Sequence, residues 1–551
     1  MHITLTERAP RPVGDAHAAR AAKFLITPII ILILAQMGAT GDNGALSLAA
    51  SALTSDLGAT TAQIQLANMV YPLVGGAFMI AGGLAGTIVG WTRTFRGGML
   101  LCALGEVVLA LSPSMEVFIW GGRVLVGLGA SFMIPSVLGL IPLIYQGANR
   151  TIAFGAIGAA SGLSALLPLG LGVVMEAAGM RATFLTLAAY FAIVFACSFA
   201  LPHIEQRRAE SSFDAAGVGL AASGLFLLLI GLSSISSWGL VAPLAGAPFT
   251  IFGISPALPL ALAGLAVLGV LVVVERRVEE RGGIPVLPSV FLTTPQVRAG
   301  LVACALTFFF MGAQSILMAP YLQLVAGWSP VAVGAISIVT GVPTFALALG
   351  IPKLAPHAEP RRVIQAGYVV MALALGVMAL SVTLDGASAP LVYLGAFLAG
   401  VGAGTVSSHA SNVVAAALPE REASQSGGIQ STMRNVGQAL GVALLGAVLL
   451  FGITGTVRER AADASISEKA QQQLAGVTID LGSDRTFEDE IAKLDLTSSE
   501  RGELVGIEAD ARLGAVRTAY VVGAVIVLAG LVTTPSIALT HPSRRDQPKA
   551  A

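Results

Sequence analysis

Four charged residues stand inside apolar runs where a charge needs a reason. Asp42 lies at the far end of FLITPIIILILAQM, in the stretch GATGDNGALSLAA. Glu106 sits in LCALGEVVLAL, Arg123 in WGGRVLVGLGAS and Arg434 in STMRNVGQALG. An ionised side chain at the centre of a bilayer costs ~2.5–3.5 kcal/mol even on a lenient insertion scale, so each needs a partner or a task. Burial favours the protonated form of an acid and a nearby arginine the ionised form, so an acid whose surroundings change can take up and release a proton. Asp42 is the first candidate for that chemistry, with a helix-end residue facing outside water as the alternative; Glu106 is the second, with a structural role within its own bundle as the alternative. Arg123 falls at a similar depth to Asp42 and is its expected ion-pair partner. Arg434 reads as a packing or gating cation. His409 and Asn412 share a helix face by their i,i+3 spacing and read as hydrogen-bonding lining. Gln314, one turn from Met311 and Met318, belongs either to an ordinary helix seam or to an adaptable apolar wall, since thioethers suit varied ligands. Asn43, Asn68 and Tyr71 complete the candidate binding residues.

These residues must be positioned by helices that cross a membrane. The chain has 551 residues, 55% hydrophobic and 11% charged, where a soluble domain carries about 25% charged residues. Its apolar residues come in blocks of about twenty, the length that spans a ~30 Å bilayer core. Fourteen helices are expected, near 24–48, 66–90, 97–111, 117–144, 152–176, 182–201, 215–236, 254–274, 299–325, 331–354, 363–384, 390–417, 428–452 and 514–540. The third and sixth are short on this reading. In the fifth, small residues at Gly155, Gly158 and Gly162 precede Pro168, which frees a carbonyl and allows a bend; close packing alone also explains the glycines.

Basic residues set the expected orientation. Arg93, Arg96, Arg150, Arg207, Arg208, Arg276, Arg277, Arg281, Arg298, Lys353, Arg361, Arg362 and Arg421 fall in loops of one side, while Arg181 stands alone on the other. Both tails share the basic side, so both termini are expected in the cytoplasm of a multi-pass cell-membrane protein. The expected division is a tail 1–23, a six-helix bundle 24–205, a linker with helices 7 and 8 over 206–280, a second six-helix bundle 281–541, and a tail 542–551. The second bundle includes an outer polar region 454–513, a solvated helical hairpin or a lid, in which Thr497 and Glu500 have capping-box spacing. Cys102, Cys197 and Cys304 lie far apart in apolar blocks, with no disulfide or metal site expected. A net charge of zero argues against nucleic acid. No nucleotide loop, metal cluster or nucleophile–base pair points to an enzyme.

The pattern resembles the major facilitator superfamily, in its fourteen-helix drug–proton antiporter branch. GDNGALSLAASAL resembles that branch's helix 1 motif with Asp42 in the acidic position, and GGRVLVGLGASFMIPSV its helix 4 motif with Arg123 in the arginine position. LPLGLGVVMEAAGMRATF resembles the helix 5 antiporter motif, with Pro168 and Arg181 matching. APYLQLVAGWSPVAVG and LPEREASQSGGIQSTMRNVGQALGVALLG are the most specific matches. Two gate acids of the family pattern are missing: Gly86 and Pro356 stand in their places.

The resemblance implies an all-α polytopic fold of two six-helix bundles plus a two-helix insert. It implies that Asp42, Arg123, Gln314 and His409 converge from both bundles on a central cavity. The expected function is export of amphipathic organic compounds against protons by alternating access. The expected partners are such a compound, protons and the lipid bilayer, in a monomer powered by the proton gradient without a cofactor. Two alternatives stay open: an exporter dedicated to one metabolite, such as an antibiotic or siderophore, and an uncoupled facilitator or receptor on the same fold.

Overall fold

A bilayer core offers no water to backbone N–H and C=O groups, and a helix satisfies them within itself. The computed structural model accordingly shows an almost wholly helical chain. It describes residues 25–59, 61–164, 166–202, 214–244, 247–283, 285–328, 330–384, 386–463, 487, 491–492 and 496–538. The expected terminal tails and much of 464–497 lie outside the described residues.

In chain order the helices are α1 (Ile26–Leu57), α2 (Thr61–Ala85), α3 (Trp91–Leu111), α4 (Val124–Ile144), α5 (Ala148–Leu163), α6 (Leu166–Cys197), α7 (Ala215–Ser233), the short α8 (Ile235–Trp238), α9 (Ala257–Glu280), the short α10 (Val290–Thr293), α11 (Pro295–Pro320), α12 (Pro330–Leu354), α13 (Pro360–Ser381), α14 (Ala389–Ala416), α15 (Glu420–Asp463) and α16 (Ser498–Ala529). Single π-helical turns, Gly86–Gly90, Val117–Arg123 and Tyr321–Val325, adjoin α3, α4 and α11. Two short antiparallel strands, β1 (Val382–Thr383) and β2 (Gly386–Ala387), link α13 to α14. Among the described residues, eleven helical stretches are long and apolar enough to cross a membrane. One of them, Leu66–Leu111, holds α2 and α3 on either side of Gly90, whose φ of +104° turns the chain.

Three expected limits change. The third helix starts at Trp91, not near 97, and is not short. The fifth is not continuous over 152–176: it ends at Leu163 and resumes at Leu166. Proline at 168 has no N–H for the carbonyl of Ser164, which accepts from the Leu167 N–H at 3.3 Å instead. Gly179 (φ +77°, ψ −175°) is non-helical and divides α6 into two helices, close to the expected limits at 176 and 182. At the far end, α15 continues through 44 residues, ~66 Å at ~1.5 Å per residue, and outruns the bilayer core. Its end packs on the start of α16 around buried Ile453, Val457, Leu504 and Ala511. The Thr497–Glu500 capping box is formed in both directions. The described ends of region 454–513 are thus a helical hairpin, tied by Arg460 to Asp510 at 3.0 Å.

Two large apolar cores organise the bundle. One gathers mainly residues between Ile29 and Leu201, the other residues between Ala299 and Ile537. A smaller core joins α7 and α9 to α2 through Ala77, Ile80, Leu84, Ala221, Leu225 and Leu271. Small residues set the distances. Gly437 and Gly441, one turn apart on α15, face the α11 carbonyls of Ala305 and Phe309, so a side chain at either would force the helices apart.

Among the described residues, several close approaches between the halves lie at the end that carries the basic loops. There Gly83 of α2 lies against Gly428 of α15, Gly427 against Pro135 and Gly139 of α4, and Gly155 of α5 against Ala348 of α12. Gly158 faces Ser407 of α14 in the same seam.

Candidate functional site

Asp42 lies 16 residues into α1, and its carboxylate has no exposure to solvent. Gly41 beside it lets α1 seat against Leu167 of α6, where any larger residue would collide. Arg123 ends the π-helical turn before α4 and is likewise fully buried. π-turns inside α-helices recur at functional sites because they redirect one side chain. Arg123 Nη1 donates to both Asp42 oxygens, at 2.8 and 2.7 Å. Its Nε donates to the Ala67 carbonyl at 3.0 Å, and its Nη2 is buried with no acceptor. The sequence expected the pair; the structure adds that it is fully buried and within one bundle.

Three further groups close around it. The Tyr71 ring lies under the guanidinium, 4.9 Å from centroid to Cζ, and its hydroxyl donates to the Ala39 carbonyl at 3.0 Å. Glu106 of α3 is fully buried beside Asp42. No fixed N–H or O–H donor reaches either Glu106 oxygen. Cys102, one turn before Glu106, lies with its Sγ 3.7 Å from the Val126 carbonyl. Two acids and one guanidinium therefore share a pocket closed to bulk solvent. With both acids ionised the three groups carry a net charge of −1.

The other expected binding residues separate from this cluster. Tyr71 is engaged in holding Arg123 and Ala39 and is 5% exposed, so it is part of the ion-pair scaffold, not an open wall. Asn68 is exposed and donates to the Ile64 carbonyl of its own helix at 3.1 Å. Asn43 and Pro168 lie on α1 and α6, with side chains outside the described residues. Gln314, Met311 and Met318 are half-buried on α11, and Gln314 Oε1 is buried with no donor.

His409 does not converge with Asp42. It lies seven residues from the end of α14, ~10 Å from the basic end, whereas Asp42 lies ~24 Å from it along α1, at ~1.5 Å per residue. His409 Nδ1 meets Ser408 Oγ at 2.8 Å. Asn412 Oδ1 accepts from Arg150 Nε of the other half at 3.2 Å. Arg150, Thr151, Pro352, Pro356, His409 and Asn412 line a cavity of about 250 Å³ across the seam. Pro356, where the family pattern has an acid, is on its wall. Arg434 sits on the same side, donating to Ser411 Oγ at 2.8 Å and stacking 5.3 Å over Phe308. Sequence reading missed Arg150 and Thr151 in this cavity; the lone arginine opening the fifth helix was the available signal.

The other missing gate acid also has a structural reading. Trp91 is almost fully buried between Gly86 and Gly139, and a Cβ at either glycine would strike its ring. An acid at position 86 is incompatible with this indole. Among the described residues no group of three or more His, Cys, Asp or Glu is placed to hold a metal ion.

Comparison with known proteins matches residues 32–442 to the family model described as Major Facilitator Superfamily. Over 86% of this chain and 80% of its own length, the "Probable actinorhodin transporter" of Streptomyces coelicolor is 28% identical. The "Tetracenomycin C resistance and export protein" of Streptomyces glaucescens is 25% identical over 86% of this chain and 85% of its own. A "Multidrug resistance protein B homolog" of Mycobacterium tuberculosis is 24% identical over 80% and 79%. Among solved structures, peptide transporter POT in complex with sulfate superposes with a TM-score of 0.54 at 15% identity, covering 93% of this chain and 95% of that one.

Proposed function

Because this chain belongs to the Major Facilitator Superfamily, a family of membrane transporters, we propose that it exports amphipathic organic compounds in exchange for protons. The observation that carries the coupling is the buried cluster of Asp42, Glu106 and Arg123: two carboxyls and one guanidinium with no exposure to bulk solvent. The proton that this arrangement calls for is the natural coupling ion. Substrate class rests on the relatives, which are named for antibiotic and multidrug export, and on the half-buried, mainly apolar face of Met311, Gln314 and Met318, where one unpartnered amide oxygen offers a polar anchor.

The cycle follows from the seam. With the basic loops in the cytoplasm, this structure is closed on the cytoplasmic side, where Gly83 meets Gly428 and Arg150 meets Asn412. A proton arriving from outside joins the Asp42–Glu106 pair and leaves the cluster neutral. Neutrality removes the cost of burying an unpaired charge and favours closing the outer half. The basic-end seam then parts, the cluster meets cytoplasmic water, and the proton leaves as substrate enters. A proton contributes ~2.3 kcal/mol per 100 mV of membrane potential and ~1.4 kcal/mol per pH unit, enough for roughly 100-fold accumulation at ordinary gradients.

Dedicated export of one metabolite is the second reading, favoured by relatives named for single natural products. A substrate panel in proteoliposomes separates the two: many substrates for a polyspecific pump, one for a dedicated exporter. Uphill export under an imposed pH gradient tests coupling. Wild type should concentrate substrate and Asp42→Asn should not, with both proteins inserted equally. Uphill export retained by Asp42→Asn would remove Asp42 from the coupling path.

A further inference from the structure

A second pair of buried acids lies outside the transport cluster, where the two-helix insert meets the basic end. Asp214 caps α7: its Oδ1 accepts from the Gly217 N–H at 2.8 Å, while its Oδ2 is buried without a donor. Glu275, near the end of α9, is 2% exposed. Its Oε2 accepts from the Val286 N–H at 2.7 Å, and its Oε1 is buried without a donor. The two orphan oxygens converge, because a Cβ on Gly217 would collide with both at once. Only glycine fits between them.

Among the described residues the surroundings offer no counter-charge. Among the described residues, no ion pair includes Asp214 or Glu275. The nearest charged side chains of α9 and its end, Arg276, Arg277, Glu279, Glu280 and Arg281, are exposed, and Glu279 accepts from the Ser289 N–H at 3.2 Å. The α2 face packed on the insert is apolar, with Ala77, Ile80 and Leu84. From α15 comes the neutral Gln425. Two ionised carboxylates facing each other in such a place repel, whereas one proton gives an O–H on one that donates to the other. That single hydrogen bond satisfies both orphan oxygens.

The pair is mechanically connected to the seam. Glu275 holds the Val286 N–H, and the Pro285 and Val286 carbonyls accept from Gln425 Nε2 at 3.1 and 3.3 Å. Gln425 precedes Gly428 by three residues on α15, and its own carbonyl faces Gly83. We propose that Asp214 and Glu275 bind one proton between them, and that this proton latches the insert to the seam between the halves. Its loss to cytoplasmic water leaves two carboxylates that part. Residues 285–286 then move with Glu275, and Gln425 loses its acceptors. The basic-end seam is thereby loosened at alkaline pH and held at acidic pH. This latch is separate from the Asp42 cluster and stands whether or not transport is proton-coupled.

The test is amide hydrogen exchange on the full-length protein in nanodiscs from pH 6 to 9, read at Val286–Ser289 and corrected for intrinsic rates. Wild type should lose protection at least 10-fold as pH rises. Glu275→Gln and Asp214→Asn keep the shape with one acid made permanently neutral, and each should give a flat, protected profile. A flat wild-type profile, or the same pH step in a variant that folds, would overturn the proposal; if one variant does not fold, the other and the wild type still decide it. Sodium and calcium chloride titrations at pH 9 form the control arm. Restored protection there assigns the pair to a metal cation and overturns the shared proton, whereas no effect supports it.

Discussion

Replacing both acids of the transport cluster should cost far more than the two single changes together. Asp42 alone accepts two hydrogen bonds from Arg123 Nη1, while Glu106 has no fixed donor and lies against Asp42. In Asp42→Asn, Glu106 becomes the remaining acid for Arg123, whose free Nη2 is available to it, and the expected loss is ~1–2 kcal/mol. Glu106→Gln removes the acid without a fixed donor and should cost under ~1 kcal/mol. The double variant leaves a buried guanidinium with no acid, a situation that costs ~3–5 kcal/mol. Taken at mid-range, the coupling is ~2 kcal/mol, about a 30-fold excess in the unfolding constant, whereas independent sites add within ~0.5 kcal/mol. Equilibrium unfolding of the four proteins in mixed micelles at pH 7 measures it. Additivity within that margin would refute a shared Arg123 and, with it, the argument for a proton in the cluster.

Other outcomes follow from single contacts. Trp91→Ala empties the space between Gly86 and Gly139 and should cost ~3–5 kcal/mol, seen as a lower melting temperature in detergent; a loss under ~1 kcal/mol would mean that the indole is dispensable there. Gly428→Val wedges against Gly83 and should disfavour the closed basic end, so cysteines placed at Gly158 and Ser407 should crosslink at least 5-fold less than in the Gly428 background; equal crosslinking would show that the seam does not close through these glycines. Thr497→Val removes one half of the capping box at α16 and should cost ~1 kcal/mol, confined to faster exchange of the amides near Glu500, with export unchanged; altered export would favour the lid reading of the outer region.

The features legible in the sequence are those that physics forces on any membrane helix. A lone acid and a lone arginine at matching depth had to meet, and Asp42 and Arg123 do. The capping box at Thr497 needs only local chemistry, and it forms as spaced. The break before Pro168 was also encoded, since a proline has no N–H for the carbonyl four residues back, yet the apolar run hid it. Other features depend on which helices become neighbours. Tyr71 read as binding-site lining, but its ring supports Arg123 because α2 packs on α4. Gly86 read as a lost acid, and only the tertiary position of Trp91 shows that a glycine is required. His409 was grouped with Asp42 by the family map, although its place near the end of α14 already set it closer to the basic side.

The central claim is that the Asp42–Glu106–Arg123 cluster holds a proton that substrate displaces. Proton release by the purified protein in weakly buffered detergent, on addition of a panel of aromatic antibiotics, tests it most directly. Wild type should acidify the solution on binding an active compound, and Asp42→Asn should bind that compound with no proton release. Undiminished release from Asp42→Asn, or binding to wild type with none, would contradict the account.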